Sequence, residues 1–194
     1  MDSKSRRVDY TALSLREVSV GLEDVARDTQ ATFELGATQL NWRPNAGRWS
    51  VAQCFQHLLT ANRLMIDSAR RALTGGPKSV WQRVPLVPGL CGRALIRSQA
   101  PTAKRRYTAP EKARPTASEV PADVIERFVT QQCVAAEWMR TIAERDAARA
   151  IMTSPFIRMV TYSVLDGCRL MVAHDRRHLE QARRVMLSPG FPAS

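Results

Sequence analysis

The chain has 194 residues, 44% of them hydrophobic and 24% charged, with a formal net charge of +11. That is enough chain for one domain with its own core and short for two. No apolar run approaches the roughly 18 residues needed to span a bilayer, and the polar start 1–7 leads into no apolar signal segment, so the expected compartment is the cytoplasm.

Taken in chain order, residues 10–35 carry Leu13, Leu15, Val18, Leu22, Val25 and Phe33 at mostly helical spacing, which predicts a first helix ending at Gly36. Leu40 to Trp49, with Pro44 and Gly47, reads as a turn-rich connection. Ser50-Val51-Ala52-Gln53 then fits a capping box, in which hydroxyl and amide side chains satisfy each other's backbone N–H groups. The second helix is predicted from there to Leu73, where Gly75-Gly76-Pro77 stops it. Its inward stripe contains Cys54, His57 and Ala61.

Residues 75–117 form a long proline-rich crossover, in which Cys91–Arg97 is the one short helix expected. Nine basic residues there face a single acid, Glu111, so +8 of the net charge lies in this segment, most densely at Lys104-Arg105-Arg106-Tyr107. A third helix is predicted from Pro121 to Arg145, and a fourth from Tyr162 to Leu187, stopped by Ser188-Pro189-Gly190. No segment reads as a convincing strand. The fold class is therefore all-α: an up-and-down four-helix bundle in a single domain, 1–194, with a long crossover between helices 2 and 3.

Cys54, Cys91, Cys133 and Cys168 form no C-x-x-C pair and read as reduced, mostly buried thiols. Buried packing also accounts for Cys54 and Cys168 on inner stripes. The four tryptophans read as core rather than as substrate platforms. Abundant Ala and Arg with few Lys points to a GC-rich bacterial genome.

The chain has three histidines. His174 and His178 are one helical turn apart, about 6 Å along the axis. Two readings compete: polar residues beside Arg176 and Arg177, or two thirds of a metal site. The stripe running Met171, His174, His178, Ala182 and Val185 points both inward, and His57 also faces inward. Three buried imidazoles without partners are costly, and a shared cation removes that cost while leaving coordination positions open. On the same wheel Arg176 and Arg177 belong to the outer face, and Asp175, rotated about 100° from His174, faces solvent or an arginine.

Gly47, Trp49, Ser50 and His57 in GRWSVAQCFQH, and His174, His178 and Gln181 in HDRRHLEQ, resemble the helix-2 and helix-4 signatures of the DinB/YfiT-like superfamily. The stretch APEKARPTASEV before helix 3 is also similar. The resemblance implies a divalent ion held by His57, His174 and His178, with zinc or nickel ahead of iron or manganese, and a homodimer. It also implies a small-molecule substrate, with a low-molecular-weight thiol used by some members. The expectation is a chain without the second C-terminal domain of isomerase-type members.

The leading expectation is thus a metal-dependent enzyme, a low-molecular-weight-thiol S-transferase or a hydrolase, with no imidazole left over as a general base and no catalytic residue identified. The alternative is a non-catalytic helical bundle whose basic crossover contacts nucleic acid or another acidic partner. A solvated basic loop accounts for the same charge.

Overall fold

The computed structural model describes residues 8–76, 80–83, 87–103 and 108–193. The chain is mostly helical: α1 (Leu15–Thr32), α2 (Ala37–Asn41), α3 (Val51–Leu73), α4 (Val87–Gln99), α5 (Val124–Arg140), α6 (Glu144–Arg149) and α7 (Val164–Met186). Two short strands, β1 (Ile151–Thr153) and β2 (Thr161–Ser163), pair antiparallel between α6 and α7.

The Ser50 cap forms as the sequence predicts. Ser50 Oγ accepts the Gln53 N–H at 3.1 Å, and Gln53 Oε1 accepts the Ser50 N–H at 3.1 Å. Such a cap contributes about 1 kcal/mol and fixes where α3 begins, hence the phase at which His57 faces inward. A second capping box, Ser14 with Glu17, starts α1 later than the hydrophobic pattern suggests and leaves 10–12 as a separate 3-10 turn.

Other boundaries also differ from expectation. Helix 1 ends at Thr32, capped by Phe33, and Gly36 instead caps α2, whose last two residues, Leu40 and Asn41, fall in the stretch read as a connection. Helix 3 is interrupted after Arg140 and resumes as α6. The expected absence of strands is corrected by β1 and β2: at three residues each, they are too short for an alternating pattern to register. Tyr162, expected in helix 4, lies in β2, and Ser163 caps α7. The helix in the crossover is longer than Cys91–Arg97 and packs on α7. Gly92 permits that approach, because a Cβ there would collide with the Asp166 side chain.

The four longest helices pack on one another around two apolar clusters. The first gathers Leu15, Val18 and Leu22 of α1, Met65 and Ala69 of α3, Met139 of α5 and Cys168, Met171 and Val172 of α7. The second gathers Val25 of α1, Phe55 and Leu58 of α3, Phe128 of α5 and Leu179, Ala182 and Val185 of α7. Each fully buried large side chain contributes roughly 1.5–3 kcal/mol.

The order of residues through these clusters fixes helix direction. α1 and α7 run from the first to the second, while α3 and α5 run the other way. Consecutive long helices therefore do not alternate strictly, as an up-and-down order requires, because α3 and α5 are parallel. A parallel pair needs its connection to travel back the length of a helix, about 34 Å for the 23 residues of α3, which accounts for a crossover as long as 75–117.

Candidate metal centre

Between the two apolar clusters α3 and α7 carry a polar belt: His57 and Asn62 from α3, and His174, Asp175 and His178 from α7. The three histidines meet there. One ring nitrogen from each lies within 4.8 Å of the others, and the ring centroids of His178 are 4.6 Å from both His57 and His174. His57 is buried, and the other two are half-buried.

His57 Nδ1 lies 2.7 Å from the carbonyl oxygen of Ala113. A carbonyl can only accept, so Nδ1 carries the hydrogen and Nε2 keeps its lone pair. That Nε2 is 3.2 Å from His174 Nε2. Two imidazoles bound at a Zn–N distance of about 2.0–2.1 Å and the tetrahedral angle stand about 3.3 Å apart, so this pair fits a shared ion. His178 Nδ1 is buried with no hydrogen-bond partner among the described residues. A ring nitrogen left without a partner in a group of three converging histidines is the kind of group a cation satisfies.

Electrostatics agree with the geometry. Burial pushes His174 down to about 3, with His57 and Arg177 adding to the effect. Burial also holds His178 well below the usual range, helped by His174, His57 and Arg177 and opposed by Gln181. His57 is lowered by burial against the Ala113 hydrogen bond. All three are neutral at physiological pH, the form that ligates metals.

The core stripe of α7 runs Cys168, Met171, Asp175, Leu179, Ala182 and Val185, so Met171, Ala182 and Val185 lie where the sequence predicts while Asp175 and Leu179 take the central places expected for His174 and His178. His174 and His178 therefore flank the core and face a cavity, and Asp175 is fully buried rather than facing solvent. Asn62 Nδ2 donates to its two carboxylate oxygens at 3.0 and 3.2 Å. Burial pushes the Asp175 carboxyl up to about 8, with Asn62, Arg176 and Gln132 pulling the other way. Arg176 pairs with Asp28. Arg177, expected on the outer face, instead donates to the Ser98 carbonyl at 3.0 Å and lines the cavity.

Several residues at the site have no role assigned by the sequence, although Trp49 and Gln181 belong to the two signatures. Trp49 lies 5.1 Å from the His57 ring and stacks at 6.0 Å on His178. Its place next to the Ser50 cap was the available signal. Arg177, Gln181 and Arg184 repeat at four and three residues along α7, a helical stripe beside the histidines, and all three line the same cavity with Arg48 and Arg114. Ala113 acts through its backbone, which no side-chain pattern reveals. Cys54 and Cys168 are buried in the apolar clusters, and burial pushes both thiols up to about 12, so they stay protonated packing groups. Trp42 packs on Phe191, Trp138 lies under Arg70, and Trp81 is largely exposed. The basic cluster Lys104–Tyr107 lies outside the described residues.

No helix among the described residues is long and apolar enough to cross a membrane. No curated protein and no solved structure matches the chain. The family model of the DinB superfamily matches residues 22–182, from the first half of α1 to the last turns of α7, and takes in all three histidines. With most of its length matched, the chain belongs to the DinB superfamily, which is metal-associated.

Proposed function

We propose that this chain is a divalent-metal-dependent enzyme, a low-molecular-weight-thiol S-transferase or a hydrolase, in which His57, His174 and His178 hold the ion. The observation that carries the reading is the convergence of three neutral imidazoles, one with an orphaned nitrogen, within 4.8 Å. Zinc or nickel suits three imidazoles best, with iron or manganese as alternatives. A divalent ion so held supplies Lewis acidity that lowers the pKa of a bound water or thiol toward neutrality.

The chain's own residues prepare that site. The Ala113 carbonyl selects the His57 tautomer that offers Nε2. Trp49 covers two of the rings and excludes water from that side. All three imidazoles are used as ligands, so a proton released at the site passes to substrate or solvent. We further propose a single domain over 1–194, in which the four long helices form one bundle, and a cytoplasmic homodimer.

Elemental analysis of purified protein tests the metal, and a screen of small thiols against electrophiles, beside ester and amide substrates, tests the reaction. Turnover that needs both the metal and a thiol supports the transferase. Turnover with metal and water alone supports the hydrolase. Less than about a tenth of an equivalent of metal after reconstitution contradicts both.

A further inference from the structure

Two cavities of unlike chemistry meet at the three histidines. The first, about 410 Å³, carries Arg48, Arg114, Arg177 and Arg184 and, among the described residues, no carboxylate. Arg48, Arg114 and Arg184 are exposed and form no salt bridge with a carboxylate among the described residues. The second, about 400 Å³, lies between α3, α4, α7 and the β1–β2 turn, and among the described residues no charged side chain lines it. Ala61, Met65, Leu95, Phe156, Leu170 and Met171 dominate its wall. Both volumes fall in the range of small-molecule sites.

The polar side chains that line the second cavity alone are already engaged, Ser154 Oγ by the Phe156 and Ile157 N–H groups, while Gln99 and Thr108 also line the first cavity. Asn62 bonds Asp175, the Tyr162 hydroxyl meets Met65 Sδ at 3.3 Å, and Ser98 Oγ donates to the Leu95 carbonyl at 2.7 Å. Away from the histidines, Gln99 and Thr108, a polar ligand there finds little to compensate for lost water, whereas an apolar one gains. The arginine rim asks for the reverse. Guanidinium groups without a carboxylate partner, as at Arg48, Arg114 and Arg184, concentrate positive potential at a concave mouth and match oxyanions geometrically. His57 and His174 line both cavities and His178 only the first, so a molecule filling both passes its middle over the histidines.

We infer that the substrate is a small molecule whose reacting bond joins an anionic part to an apolar body, the anion at the arginine rim and the apolar body in the second cavity. The word substrate rests on the metal-enzyme reading, while the ligand class follows from the two linings alone.

N-acylglycines of two, six and eight acyl carbons, with octanoylglycine methyl ester as the uncharged control, test this by calorimetry. The full chain is used both zinc-loaded and chelator-treated, with metal measured on the same samples. Each added methylene should tighten binding about fourfold until the cavity is filled. The methyl ester should bind at least about tenfold more weakly than the acid, as loss of a charge-assisted hydrogen bond implies. Arg114→Gln with Arg184→Gln, both exposed, should erase that preference and keep the chain-length trend. Ala94→Phe, on the wall of the second cavity, should do the opposite. Octanoylglycine binding no tighter than acetylglycine, or no tighter than its ester, overturns the ligand class even when the protein carries a full equivalent of zinc. Both trends holding in a protein that retains no metal would leave the ligand class standing and remove the metal reading.

Discussion

The Nδ1 hydrogen of His57 is held by the backbone carbonyl of Ala113 at 2.7 Å, so a loop of the crossover sets the tautomer of a histidine on α3. Ala113 is itself buried, and a larger side chain must displace that carbonyl. Ala113→Leu should therefore weaken metal retention roughly 10–100-fold in a chelator competition, the usual effect of losing an outer-shell partner, while far-ultraviolet dichroism stays helical. Unchanged retention would mean the carbonyl does not orient the ring.

Asp175 gives a pH signature. Its folded pKa, about 8, stands above the unfolded value of 3.8, so the folded chain holds a proton that the unfolded chain releases. That contribution is complete below about pH 4 and is lost as the pH rises toward 8. Asp175→Asn keeps an acceptor for Asn62 and does not titrate. In chelated protein, the urea stability of this variant relative to wild type should improve on the order of 1 kcal/mol per pH unit between pH 5 and 8. A flat difference would show that the carboxyl is ionised throughout.

The histidines respond with the opposite sign. The folded pKa of His174, about 3, lies below its ordinary 6.5, so the unfolded chain takes up a proton that the folded chain refuses. Stability from this group is present above about pH 6.5 and drains away as the pH falls toward 3. His174→Leu should thus gain about 2 kcal/mol on metal-free wild type between pH 7.5 and pH 5. Equal acid sensitivity of the two proteins would contradict a neutral, buried His174.

Thiol reactivity separates packing from chemistry. Cys133 is exposed, whereas Cys54 and Cys168 are buried with thiols pushed up to about 12. Iodoacetamide at pH 8 should label Cys133 in minutes and leave Cys54 and Cys168 unmodified until urea is added, as read by peptide mass spectrometry. Rapid native labelling of Cys54 would reopen its assignment as a packing residue.

How far the sequence reached follows from what each residue signals. His57 was legible because Ser50 and Gln53 fix the start and phase of α3. His174 and His178 were legible as a pair from their spacing, but they flank the core stripe of α7, whose middle is Asp175 and Leu179. Asp175 completes the buried face together with Asn62, and a polar pair inside a core carries no hydrophobic signal. The β1–β2 pair was illegible because three-residue strands leave no periodicity. Ala113 and the arginine rim depend on where the crossover folds back, a tertiary fact that residue spacing along the chain does not encode.

The central claim is that His57, His174 and His178 together hold one ion, and metal stoichiometry tests it most directly. Purified protein, stripped, reconstituted with zinc or nickel and desalted, should carry about one equivalent by elemental analysis, and His178→Ala should carry less than about a tenth while remaining helical. Equal metal content in the two proteins, or none in the wild type, would contradict the account.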